Sequence, residues 1–106
     1  MQQITAVELN QRLQAGASLP LLLDVREPHE FVHCRIEGSI NMPMSQVFSD
    51  YSKLDPLQET IVICHHGIRS LQIANFLLSH GFLEIANLTG GVAAWASQVD
   101  RSMATY

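Results

Sequence analysis

Ile61-Val62-Ile63-Cys64-His65-His66-Gly67-Ile68-Arg69-Ser70 is the stretch on which the fold turns. Its first four residues form an apolar run with no polar alternation, the pattern of a strand covered on both faces, as in a parallel sheet. From Ser70 to His80 the period changes. Leu71, Ile73, Ala74, Phe76, Leu77 and Leu78 leave only a narrow polar stripe of Gln72, Asn75 and Ser79, and Gly81 supplies a stop. A buried strand therefore passes through a tight connection, His65 to Arg69, into a mostly buried helix that begins at about Arg69 or Ser70.

Working outward, Leu21-Leu22-Leu23-Asp24-Val25 repeats the unalternating apolar pattern and predicts a second central strand. Ile85 to Leu88 before Thr89-Gly90-Gly91 reads as another strand, and Ser39-Ile40-Asn41, closed by Pro43, as a short one. Thr5-Ala6-Val7-Glu8 has the spacing of a capping box, with Val7, Leu9 and Leu13 behind it and Gly16 as the stop, which predicts a helix over residues 6 to 14. Alternating strands and helices imply an α/β fold: a compact domain with a central parallel β-sheet flanked by helices. No repeat, linker or low-complexity tract interrupts it, so residues 1 to 106 are read as a single domain. In such sheets ligands sit beyond the carboxyl ends of the strands.

Composition narrows the function. The chain has 106 residues, 47% apolar and 15% charged, which excludes a disordered segment. Six Lys and Arg against ten Asp and Glu leave a net charge of −4, which argues against nucleic acid or an anionic membrane as the main partner. The start has neither a basic region nor an apolar one, and the greasy stretch Leu19 to Leu23 is too short to span a bilayer, so a cytoplasmic location is expected. Two cysteines, Cys34 and Cys64, are too few for a disulfide framework, and in a reducing compartment a free thiol means chemistry, metal or plain core.

Position favours chemistry for Cys64. A thiol facing the first turn of a helix meets unpaired backbone N–H groups and the positive end of the helix dipole, which favour a thiolate and any anion beside it. Arg69 adds permanent positive charge, Gly67 suits a backbone that turns its amides inward, and Ser70 can donate a hydroxyl hydrogen bond to the sulfur. The expectation is a nucleophile at neutral pH that needs no dedicated base, with His65 and His66 able to assist. The plain alternative is a buried cysteine that merely finishes a strand.

Four segments in order, Asp24-Val25-Arg26-Glu27, Phe31 to Ser39, Cys64 to Ser70, and Leu88-Thr89-Gly90-Gly91-Val92-Ala93-Ala94-Trp95, resemble a single-domain rhodanese across nearly the whole chain. The resemblance implies sulfur transfer. Cys64 would attack the outer sulfur of a small anionic donor such as thiosulfate and carry it as a persulfide held by the loop His65, His66, Gly67, Ile68, Arg69 and Ser70. A thiol or a sulfur-acceptor protein would then collect it. No metal or organic cofactor is implied. Asp24 and Arg26 are expected to support the site through hydrogen bonds and ion pairs, the glycines at 90 and 91 to turn the chain into the final helix, and Trp95 to fill core. The tail Val99 to Tyr106 resembles the ends of rhodanese domains fused to enzymes that activate sulfur-carrier proteins.

The chain departs from the usual pattern at Cys34-Arg35-Ile36-Glu37-Gly38-Ser39. Arg35 either adds positive charge to the site or lies in solvent, and Cys34 is either a small core residue or a thiol able to pair with Cys64. Three other readings remain in view. One is a binding module, or a persulfide carrier dedicated to one partner. Another is a cysteine-dependent phosphatase or arsenate reductase, disfavoured because four residues separate Cys64 from Arg69, one fewer than those enzymes use to cradle an oxyanion. The last is a zinc site, since His29-Glu30-Phe31-Val32-His33 matches the spacing of a metalloprotease helix. Pro28 just before it and Gly38 soon after leave it little context, and solvated helix residues are the expected reading.

Overall fold

The computed structural model describes residues 1–16 and 18–106. Five strands, β1 (Gln2–Ile4), β2 (Leu21–Asp24), β3 (Ile40–Asn41), β4 (Thr60–Ile63) and β5 (Ile85–Leu88), form one parallel sheet in the order β1-β5-β4-β2-β3. The helices are α1 (Ala6–Ala15), α2 (Pro28–His33), α3 (Met44–Asp50), α4 (Ile68–Ser79) and α5 (Gly91–Gln98), with a 3-10 turn at Tyr51–Lys53. The parallel α/β architecture expected from the apolar runs is therefore present. β4 lies at the centre and is buried at every position, which explains why Ile61-Val62-Ile63 carries no polar alternation.

Side chains of successive strand residues divide between two cores. Ile61 and Ile63 join Leu22, Ala86 and Leu88 under α1 and α5, with Leu9, Val92 and Trp95. Val62 and Cys64 join Leu23, Val25 and Ile85 under α3 and α4, with Val47, Ile73, Ala74 and Leu77. Trp95 is core filler, as the sequence led one to expect. The two cysteines fall on opposite faces, Cys34 in the first core and Cys64 in the second, and both are free thiols.

Local signals were dependable where a cap or turn carried them. Thr5 Oγ1 accepts from the Glu8 amide at 3.1 Å and the Glu8 carboxylate accepts from the Thr5 amide at 2.9 Å, closing the capping box, while Gly16 ends α1 at φ 67°. α4 begins at Ile68, slightly ahead of the expected start, because Gly67 at φ 97° forms its N-cap. Two elements escape the sequence patterns. β1 is three residues long with two exposed glutamines, and α3 shows one buried residue, Val47, so neither carries enough periodicity to register.

Candidate active site

The loop after β4 emerges at the carboxyl edge of the sheet, between β5 and β2. Its backbone is clamped from two sides. Val25 N–H donates to Ile63 O at 2.9 Å, and the first turn of α5 donates to the loop itself, Val92 N–H to Cys64 O at 2.9 Å and Ala93 N–H to His65 O at 3.0 Å. This close approach explains Gly91: a Cβ there would stand 2.3 Å from Cys64 O and 2.4 Å from His65 O. Gly91→Ala is expected to push the loop off α5 and to destabilise the domain by about 2–3 kcal/mol, read as a lowered urea midpoint at unchanged slope.

The sulfur sits inside this clamp. Cys64 is 1% exposed, and its Sγ accepts from Gly67 N–H at 3.1 Å. The thiol donates to Ser70 Oγ at 3.3 Å, and the Ser70 hydroxyl donates in turn to Asn87 Oδ1. Ser70 was expected to donate to the sulfur. The Ser70 proton is instead taken by the side-chain amide oxygen of Asn87 on β5. Asn87 also donates to Gly67 O at 3.2 Å and to Gln3 Oε1 at 3.0 Å, so the short edge strand braces the loop through β5. The sequence reading missed Asn87. Its signal was a lone amide in the apolar strand Ile85-Ala86-Asn87-Leu88, since a buried polar side chain needs a partner.

Charge enters from α2. Arg69 binds Glu30 through two parallel bonds, Nη1 to Oε1 at 2.8 Å and Nη2 to Oε2 at 3.0 Å. Glu30 is thus not the solvated helix residue expected; only 9% of it is exposed, because its carboxylate turns inward to meet a cation 39 positions away in the chain. The same bond to Arg69 holds the Glu30 carboxyl down to about 2 against the opposing effect of burial, with help from the Glu27 amide and the Tyr106 phenol. Its hydrogen bonds to Glu30 likewise hold Arg69 above the usual guanidinium range. A carboxyl depressed by folding stabilises the folded state above its unfolded value of about 4.3 and loses that contribution as pH falls towards 2. Glu30→Gln should therefore remove roughly 2 kcal/mol of stability at neutral pH. It should also flatten the dependence of the urea midpoint on pH between about 5 and 2 relative to the parent.

Behind the loop lies a second ion pair. Arg26 Nη2 meets Asp24 Oδ2 at 2.7 Å and Arg26 Nε meets Oδ1 at 2.9 Å, both side chains having no exposed surface. Arg26 also donates to Cys34 O at 2.6 Å and to the Tyr106 hydroxyl at 2.9 Å, tying the end of β2 to the end of α2 and to the tail. Asp24 and Arg26 thus form an ion pair at the end of β2, behind the loop. His65 stacks between His66 and Tyr106, each ring at 4.1 Å, and burial, then the neighbouring His66, push its imidazole below the ordinary histidine range.

Of the residues singled out in the sequence, Cys64, Gly67, Arg69 and Ser70 converge on the loop and the start of α4, with His65 and His66 beside them. Ile68 is 71% exposed, so its side chain lies at the surface. Arg35 is not part of the site. It is exposed, donates to Phe31 O at 3.2 Å and lies over the Phe31 ring, because α2 ends before it and leaves it at the surface. Cys34 is a buried core residue whose sulfur meets Arg26 Nη1 at 3.8 Å. In the zinc-like stretch, Glu30 is committed to Arg69 and His33 Nε2 lies 2.9 Å from Thr105 O. Among the described residues no three His, Cys, Asp or Glu side chains are grouped to hold a metal ion.

A parallel α/β domain that presents one cysteine in a short loop at the carboxyl edge of its central strand is a defined structural class. The sequence matches the Rhodanese-like domain over residues 5–98, and the chain belongs to that family. It is 32% identical over 94 residues to a protein named sulfurtransferase from Allochromatium vinosum, covering 89% of this chain and 87% of that one. It is 37% identical over 113 residues to the chloroplastic rhodanese-like/PpiC domain-containing protein 12 of Arabidopsis thaliana, of which it spans only 38%. The crystal structure of a rhodanese-related protein from Thermoplasma volcanium superposes with a TM-score of 0.83 at 33% identity, covering 93% of this chain and 94% of that one. Among the described residues no helix is long and apolar enough to cross a membrane.

Proposed function

We propose that the protein is a sulfurtransferase that carries sulfane sulfur on Cys64. The observation that carries this reading is the Gly67 N–H directed at Cys64 Sγ from the N-cap of a twelve-residue helix, a geometry that stabilises negative charge on the sulfur. The Cys64 thiol loses its proton to solvent, and the thiolate attacks the outer sulfur of a donor such as thiosulfate. The donor's S–S bond breaks, sulfite departs with the bonding pair, and a Cys64 persulfide remains. The thiolate of an acceptor, a small thiol or a sulfur-acceptor protein, then attacks the outer sulfur and returns Cys64 to its thiolate in a two-step cycle.

The remaining residues have roles that follow from their contacts. The Gly67 N–H meets the sulfur directly, and the resemblance to the family implies that the neighbouring loop amides from His65 to Ser70 would help hold the charge on the transferred sulfur. Ser70 is able to rotate its hydroxyl from Asn87 to a thiolate, an exchange of one acceptor for a stronger one. Arg69 supplies positive charge at the mouth for an anionic donor, tempered by its pairing with Glu30. Asp24 and Arg26 hold the end of β2 behind the loop. The relative named sulfurtransferase, aligned over most of both chains, supports the same reading.

Intact-protein mass spectrometry after incubation with thiosulfate, before and after mild reduction, tests it. The expected result is a gain of one sulfur atom that reduction removes. No adduct on a protein whose thiol is shown to be free would overturn the reading in favour of a binding module of the same fold.

A further inference from the structure

The segment Ala104–Tyr106 folds back onto the loop and is not explained by the chemistry above. The Tyr106 hydroxyl donates to Glu30 Oε2 at 2.8 Å and accepts from Arg26 Nη1 at 2.9 Å, bridging the two ion pairs. Its ring stacks on His65 with an interplanar angle of 22° and meets His33 edge-on at 5.7 Å, while the Thr105 carbonyl lies against His33 Nε2. The segment also walls a hollow of about 170 Å³ with His65, His66 and Cys34. Burial, first among the causes, holds the phenol above its usual range, so it remains a donor at neutral pH.

The Glu30 carboxylate is fully shared. Oε1 accepts from Arg69 Nη1 and from the Glu27 amide at 2.9 Å, and Oε2 accepts from Arg69 Nη2 and the phenol. Each donor that draws on this charge leaves less of it to neutralise Arg69. We infer that Tyr106 is a positioning residue of the Cys64 site: acting through Glu30, it sets how much positive field Arg69 presents at the loop, and its ring fixes His65 beside it. The inference rests on Cys64 as the reactive sulfur, and it makes the tail a determinant of preference for anionic over neutral reagents.

The test compares alkylation of Cys64 by iodoacetate, an anion, and by iodoacetamide, its neutral counterpart, with the rate read on the Cys64 peptide by mass spectrometry. Their ratio cancels changes in thiolate fraction and general access and leaves the local field. Tyr106→Phe keeps the ring on His65 and removes only the hydroxyl, and is expected to lower the ratio by about threefold. Glu30→Gln removes the countercharge and should move the ratio the other way. Tyr106→Ala should also release the His65 ring protons from the ring-current shift of the stack, read by NMR, whereas Tyr106→Phe should retain it. In turnover with thiosulfate, Tyr106→Phe should raise KM by about threefold at unchanged kcat.

An unchanged ratio in Tyr106→Phe, or equal slowing by both reagents, would overturn the inference and leave Tyr106 as packing alone. A lowered ratio for Tyr106→Phe in a protein that forms no adduct with thiosulfate would sustain the inference while sinking the sulfurtransferase reading, and a raised one would overturn the inference.

Discussion

Replacing Cys64 by alanine is expected to abolish sulfur loading and to reduce turnover with thiosulfate by at least about a thousandfold, since the thiol of the loop is removed. The fold should survive. Cys64 keeps its Cβ in this change and loses only the sulfur, with the bonds to Gly67 N–H and Ser70 Oγ. Ser70 retains Asn87 as its acceptor, and the clamp from Val92 and Ala93 grips the backbone of residues 64 and 65 rather than their side chains. The urea midpoint should therefore shift by the equivalent of about 1–3 kcal/mol, the cost of leaving the buried Gly67 N–H without its acceptor. Measured beside the parent, turnover within tenfold of it would remove Cys64 from the mechanism, whereas loss of turnover with loss of the fold would show that the sulfur holds the loop together.

Asp24→Ala is expected to be the most damaging change to stability. Arg26 has no exposed surface, and without Asp24 it remains a buried cation whose acceptors are the carbonyls of Cys34 and Glu30 and the Tyr106 hydroxyl. Breaking a buried ion pair from one side costs about 3–5 kcal/mol, a large part of the 5–15 kcal/mol typical of a whole domain. Asp24→Asn keeps an acceptor without the charge and should fall between the two. Chemical denaturation of all three proteins decides the matter, and a loss below about 1 kcal/mol for Asp24→Ala would show that water or another carboxylate reaches Arg26. The damage should extend to the site. Arg26 connects β2 to Cys34 at the end of α2 and to Tyr106, so its displacement loosens the frame that holds Glu30 against Arg69.

The contrast between Ser70 and Glu30 shows what could be read in the sequence. Ser70 lies six positions from Cys64, within the same strand-to-helix turn, and its proximity to the sulfur followed from the local switch in period. Glu30 belongs to a six-residue helix with one buried side chain, too short for periodicity to say which side faces inward, so it read as solvated. Asn87 shows the intermediate case. Its burial was implied by the run around it, but its partners, Gly67 and Ser70 in the turn after β4 and Gln3 in β1, come from two other parts of the chain. Arg35 was legible only as an alternative, charge at the site or a solvated cation, and its backbone places it at the surface.

By itself the sequence determined the buried central strands, the caps of α1, and Cys64 at a turn bent by Gly67, because hydrophobic period and positive-φ glycines are properties of neighbouring residues. Tertiary structure alone decided the electrostatics of that turn. Glu30 reaches Arg69 across 39 positions and Tyr106 reaches Glu30 across 76, pairings that exist only once the crossovers have brought α2, α4 and the tail to one edge of the sheet. A charged side chain gains a buried partner from where distant backbone segments pack, and no local pattern encodes that choice.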